Sequence, residues 1–332
     1  MRTKVSLWRC SQACVAAILA ALVISAAPQV AAQRYPAKSV RLVVPFPPGA
    51  GLDVVGRLMA QKLSETRGPS LVVDNRPGAA GTIGADIVAK AVPDGYTLVM
   101  GGIASHGTAK GLYPRLPYDP IKDFAPIMLI ARAPSALLVH AALPVKTARE
   151  LIANAKANPG KLNYSSSGSG STGHLAVEMF KNMAGLDVVH VPFGGPTPGL
   201  TALAMGETQM AIQSQLSAQS LIRTGRIRML ATTGSSRLAK MPELPTVAES
   251  GAPGYEFYVW YGVLAPAGTP VDIVALLNRD FSRVFHLPDV RDRLLAQESE
   301  LVISTPDAFR AFLDQEVAKW TKVIRDIGVR VE

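Results

Sequence analysis

The stretch Val40 to Glu65, VRLVVPFPPGAGLDVVGRLMAQKLSE, contains the unit from which the fold is built. Val40 to Pro45 is a short apolar run that reads as a buried strand. From Asp53 to Glu65, residues Val54, Val55, Leu58, Met59 and Leu63 fall on one helical face, and Asp53 has the side chain of an N-cap. The Gly/Pro turn Phe46 to Leu52 joins them into one β-loop-α unit.

The unit repeats downstream. Leu71 to Asp74 is a second strand, followed by the Gly-rich turn Asn75 to Gly81 and a helix over Ile83 to Ala91; Thr97 to Gly101 is a third strand. Strands alternating with helices at this spacing predict parallel sheets covered on both faces. After the Pro-rich connection Tyr113 to Pro126 the pattern restarts, with strands at Ile127 to Ala131, Ala136 to His140, Leu162 to Ser165, Val188 to Pro192, Met210 to Gln213 and Ile227 to Thr232. Helices are expected at Ala148 to Ala157, His174 to Met183, Leu200 to Met205 and Ser217 to Arg223. Phe257 to Leu264 is a further strand, after which Ile273 to Phe285, Val290 to Ala296 and Asp307 to Ile327 are helices with little new strand material. Those late helices need an existing sheet to pack on, and the first block supplies it. The expected fold is α/β in two lobes, with 33–131 plus 257–332 forming a discontinuous first lobe and 132–256 the second. The chain then crosses twice, near Ile127 to Ala136 and near Phe257 to Leu264, which makes a hinge beside a cleft.

Composition limits the function. Gly and Pro make up 53 of 332 residues, too few for low-complexity disorder. Arg2, Lys4 and Arg9 precede an apolar run from Ala13 to Ile24, and Val30-Ala31-Ala32 offers small residues for cleavage before Gln33. Residues 1–32 therefore read as a secretory signal, since Ser25, Pro28 and Gln29 end the run short of a membrane span. Both cysteines, Cys10 and Cys14, belong to that leader, so the mature chain has no thiol chemistry and no disulfide. Removing three of the 34 basic residues leaves 31 against 25 acidic ones, so the formal charge falls from +9 to +6. The excess is dispersed in pairs such as Arg226 and Arg228, which does not fit nucleic-acid binding but favours encounter with small anions.

Two loops carry the chemistry. Tyr164 to His174, YSSSGSGSTGH, follows a strand and opens a helix, where unpaired N–H groups, hydroxyls and the helix dipole favour an anion. Gly168 to Gly173 also spells G-x-G-x-x-G, but no acidic residue ends the next strand to hold a ribose, and His174 stands where a phosphate-binding loop needs Lys. The loop Pro45 to Asp53 is its counterpart in the first lobe. No G-x-S-x-G elbow and no H-E-x-x-H occurs, and no cofactor is implied. His174 and Glu178, spaced i, i+4, read as a helix-stabilising pair, the metal alternative lacking a third ligand. Ser105 and His106 admit a nucleophile–base reading, but adjacent residues on an extended chain point apart; lining the cleft is the expected role. Phe257, Tyr258, Trp260 and Tyr261 are candidates either for stacking on a ligand or for the hinge core.

Taken together, VRLVVPFPPGAGLD, NRPGAAGTIGAD, PDGYTLVMG, YSSSGSGSTGHLAVEMF, HVPFGG, LPTVAESGAPGYE and WYGVLAPAGTP resemble the Bug receptors, the periplasmic solute-binding components of tripartite tricarboxylate transporters, also called the TctC family. The resemblance runs from about Tyr35 to the C-terminus. It implies a type II periplasmic-binding-protein fold that closes on a small mono-, di- or tricarboxylate, as a monomer, and delivers it to membrane permease subunits. It further implies that Phe46, Gly49, Ala50, Gly51, Leu52 and Asp53 in one lobe, and Ser166, Ser167, Gly168, Ser171, Thr172 and His174 in the other, hold one ligand carboxylate. Phe193, Gly194 and Gln213, with Ser105 and His106, complete the expected ligand-binding set. This sequence departs from the family pattern at Ala50, Leu52, Gly195-Pro196-Thr197 and Gln213. The other readings are an exported α/β hydrolase using Ser105 or a loop serine, and a ligand-sensing partner of a membrane kinase.

Overall fold

A computed structural model describes residues 35–66, 70–296 and 298–329; the expected leader 1–32 lies outside them. Lys38–Glu332 forms one compact unit. Its β1 (Val40–Val44) pairs in parallel with β2 (Leu71–Asn75) and β3 (Thr97–Gly102). The last, β3, is followed by antiparallel β10 (Tyr258–Pro266), then β4 (Phe124–Pro134) and the short β11 (Glu300–Leu301), giving a six-stranded sheet in the order β11-β4-β10-β3-β1-β2. The second sheet runs β7 (Val189–Pro192), β6 (Asn163–Ser166), β8 (Met210–Gln213), β5 (Ala136–His140), β9 (Ile227–Thr232). Here β6 is parallel to β7 and β8, while β5 is antiparallel to β8 and β9.

Both sheets are thus mixed rather than parallel. The reason lies in β10 and β5, each antiparallel to both of its neighbours, whereas β4 runs the same way as β1 to β3; the chain passes between the sheets at the ends of β4 and β10. They are antiparallel neighbours, and the sequence understated β4, whose 11 residues extend the strand on both sides of Ile127 to Ala131. The two crossings are stitched together where they leave the first sheet. Ser135 N–H donates to Thr233 Oγ1 (2.6 Å), whose hydroxyl donates to Phe257 O (2.8 Å), and Phe257 N–H donates to Thr233 O (2.9 Å).

Helices cover the sheets with apolar faces. In α1 (Gly51–Glu65), Leu52, Val55, Leu58, Met59 and Leu63 are buried, and α2 (Thr82–Ala89) packs against β3. A π-helical turn, Ile103–Thr108, leads into the short α3 (Ala109–Leu112). The second sheet carries α4 (Ala148–Ala157), α5 (Thr172–Ala184), α6 (Pro196–Met205) and α7 (Gln215–Arg223). Of the late helices, α8 (Val271–Phe285) and α10 (Pro306–Ile327) pack on β4, and α9 (Pro288–Leu295) packs beside β11, as their lack of partner strands requires. Trp260, Phe309 and Trp320, all buried, fill the space beneath α10.

Candidate functional site

Open α/β sheets bind ligands beyond the carboxyl ends of their strands, and a cavity of about 340 Å3 lies there. From the first sheet it is lined by Phe46 and Gly49 to Leu52 after β1, by Gly102 to Ala104 after β3, and by Ala133, Pro134, Val259, Trp260 and Tyr261 of the crossing strands. From the second sheet come Thr172, at the start of α5, and Ser214 to Ser217, at the start of α7. Glu298 and Ser299 complete it.

Three helix starts therefore point at one space. The first N–H groups of any helix lack intrahelical acceptors. At α1 the N-cap is Ala50, with no side-chain cap, and at α7 the N-cap Ser214 also makes none. At α5, Ser171 caps His174 N–H (3.3 Å), which leaves Thr172 and Gly173 without an intrahelical acceptor. Helices α6, α8 and α9 also begin without side-chain caps, but their starts lie outside this cavity, so convergence is what marks the site. Among the described residues the lining contains no Lys, Arg, His or Asp, and Glu298 is its one charged residue. Negative charge here would be held by backbone dipoles.

The α1 start is built from the sequence in a specific way. Gly49, at φ +84°, turns its N–H onto Asp53 Oδ2 (2.8 Å). Asp53 is therefore not the N-cap but the third helical residue, reaching back in the manner of a capping box. Its carboxylate also accepts from Arg57 and from Asn75 Nδ2 (2.8 Å). Burial would push that carboxyl up; these hydrogen bonds outweigh it and hold the pKa below the ordinary value. Gly51 is needed because a Cβ there would lie 2.8 Å from Tyr261 Oη.

The Ser/Gly loop is largely turned inward. Ser166, fully buried, has its Oγ 2.7 Å from His190 Nε2 and donates to Gly168 O. Gly170 N–H donates to His174 Nδ1 (2.9 Å), and the His174 ring stacks on His190 at 4.0 Å between centroids. Burial, then repulsion from His190, push the His174 pKa down to about 4. His174 thus shapes the loop from beneath. It does not pair with Glu178, whose carboxylate is taken by Tyr164 Oη (2.5 Å) and Lys181 Nζ (2.6 Å). Gln213 Nε2 donates to Ser167 Oγ (3.0 Å), and Phe193 N–H donates to Ser166 O (3.2 Å), so Ser167, Gln213 and the Phe193-Gly194 step brace the loop from its sides. Of the expected set, Phe46, Gly49, Ala50, Gly51, Leu52 and Thr172 come together on the cavity; Asp53, Ser166, Ser171 and His174 stand one layer behind.

Ser105 and His106 do not line the cleft. The π-helical turn coils them together, so that Ser105 Oγ lies 2.9 Å from His106 Nδ1, both fully buried. His106 packs edge-on against Phe124, its Nε2 has no partner, and burial pushes its pKa down to about 3. Among the described residues no acid hydrogen-bonds this imidazole, and the Ser105 hydroxyl is fully buried.

Reading the sequence missed Ser214 to Ser217, although β8 followed by Ser214 repeats the strand-to-helix signal. It also missed Glu298 and Ser299, which carry no local signal at all. Among the described residues no group of His, Cys, Asp and Glu is placed to hold a metal ion, and no helix is long and apolar enough to cross a membrane.

Two sheets flanked by helices, joined by two crossing strands and opening on one cavity, define the architecture of periplasmic solute-binding proteins. The chain belongs to the TctC family, the receptors of tripartite tricarboxylate transporters, whose family model matches residues 55–329. It is similar to protein BugT of Bordetella pertussis, with 34% identity over 304 residues, 91% of this chain and 93% of BugT. Among solved structures it resembles R. palustris Rpa4515 with adipate (39% identity, TM-score 0.80, covering 90% of this chain and all of the other). It also resembles MatC from Rhodopseudomonas palustris with bound malate (33% identity, TM-score 0.76, covering 87% and 100%).

Proposed function

We propose that this chain is an exported, non-catalytic receptor that captures a small carboxylate in the cavity and delivers it to the membrane permease subunits of a tripartite transporter. The observation that carries this reading is the convergence of the α1, α5 and α7 starts on one space that, among the described residues, is lined by no basic side chain. The adipate and malate bound by relatives support it. In this reading the leader 1–32 is removed on export, the receptor acts as a monomer, and the ligand-binding set is Phe46, Gly49 to Leu52 and Thr172, with the α7 start added. Residues 33–131 plus 257–332 and residues 132–256 are the two lobes, which close by bending at the stitched crossings, a population shift driven by a ligand that contacts both. Leu216, 53% exposed beside the cavity, is the kind of apolar surface that closure would cover.

A thermal-shift and calorimetric panel of mono-, di- and tricarboxylates on ligand-free protein tests it. A bound acid at 100 Kd is expected to stabilise the protein by about 2.7 kcal/mol. No response to any acid in the panel would overturn the reading.

A further inference from the structure

We propose, building on the carboxylate reading above, that the cavity selects an elongated acid whose far end is a hydrogen-bond donor, neutral or cationic, and that Glu298 makes this choice. The cavity is polar in opposite senses at its two ends. The helix start after β1 supplies N–H groups near one edge of the first sheet, whereas Glu298 lies two residues before β11, the strand at the sheet's opposite edge. Between them stand β3, β10 and β4, and the wall is apolar, formed by Leu52, Ile103, Val259, Trp260 and, from the other sheet, Leu216. A ligand that fills this space meets donors first, then hydrocarbon, then a carboxylate.

Glu298 is set in place by the turn that ends α9. Its φ is +56°, and its N–H donates to Leu295 O (3.1 Å) while Ser299 N–H donates to Leu294 O (3.2 Å). Its side chain is 19% exposed, so a like charge brought beside it is screened less than on an open surface. Its carboxylate forms a long ion pair with Lys240 (3.7 Å), which is 58% exposed and lines an outer groove that Glu298 also borders; a pair so open to solvent is weak. Among the described residues no basic side chain of the cavity lining adds to that pair. A second ligand carboxylate at this end would meet negative charge offset only by that solvent-exposed pair; an amine, amide or hydroxyl would meet an acceptor.

Three six-carbon probes that differ only at the far end decide it: 6-aminohexanoate, hexanoate and adipate, titrated calorimetrically into the ligand-free full-length receptor. The wild type is expected to bind 6-aminohexanoate at least about tenfold more tightly than adipate. Glu298→Gln, which keeps size and removes charge, should collapse that ratio, and Glu298→Lys should reverse it. A gain of adipate binding cannot come from a misfolded variant. Equal or tighter adipate binding by the wild type, a ratio unmoved by both substitutions, or a response to short acids only would overturn the assignment and leave the carboxylate reading intact. No response to any acid would overturn both.

Discussion

A methyl group at Gly51 would press on the Tyr261 hydroxyl at 2.8 Å, and Tyr261 lines the cavity. The ring tip can move, so the strain is relieved by shifting Tyr261 into ligand space. Gly51→Ala should therefore weaken binding of whichever carboxylate the panel identifies by about tenfold or more, with a stability loss within roughly 1 kcal/mol; titration beside urea unfolding separates the two, and unchanged affinity would contradict the placement. The same residues mark what was legible. Phe46 and Gly49 to Leu52 could be named from sequence because a strand, a Gly/Pro turn and an amphipathic helix lie in immediate succession, so local chemistry fixes the geometry. Ser105 and His106 could not, because the π-helical turn that buries them arises from packing against Tyr118 and Phe124, residues remote in sequence from the motif. Glu298 reaches the cavity through tertiary placement alone.

Among the elements, the Ser/Gly loop is supported by an unprotonated imidazole. Because Gly170 N–H needs His174 Nδ1 as acceptor, the neutral form is the one built into the fold. Glu178 nearby favours protonation, Lys181 and His190 oppose it, and burial dominates, giving a pKa of about 4. An unfolded histidine takes up its proton near pH ~6.5. The stability is thus fully present above that pH and is lost as pH falls from ~6.5 towards 4, by up to about 3 kcal/mol. Unfolding free energies measured at pH 7.5, 6, 5 and 4 should decline in that window, and more steeply in the wild type than in His174→Asn; parallel slopes would contradict the assignment. A second element-scale expectation concerns Thr233, whose hydroxyl joins the crossings. Thr233→Val leaves Ser135 N–H and Phe257 O without this partner in a buried site, at a cost of roughly 1–3 kcal/mol for each group. Urea unfolding reads this directly, and a change below ~0.5 kcal/mol would mean that the stitch is dispensable. The positions of most strands and helices were legible from apolar periodicity. The direction of β5 and β10 was not, because periodicity reports which face is buried and not how a strand runs relative to its neighbours.

Across the whole molecule, the two sheets share one architecture used twice: parallel strands feed helix starts towards the cavity, and antiparallel strands return the chain. The α/β class and the two-lobed plan were legible because the late helices have no strands of their own and must return to the first sheet. What sequence could not give was the acidic far end, since Glu298 reaches the cavity only through the packing of α9 and β11 on the first sheet; the third helix start, at Ser214, does follow a strand, as the other two do. The ligand's carboxylate is expected to lie among backbone N–H groups rather than against a cation. A crystal structure of the receptor with its bound acid is the sharpest check. It should place one carboxylate within about 2.7–3.2 Å of N–H groups at the α1 start and at the α5 or α7 start, with no Lys or Arg side chain in contact. A carboxylate held by a basic side chain, or bound outside this cavity, would contradict it.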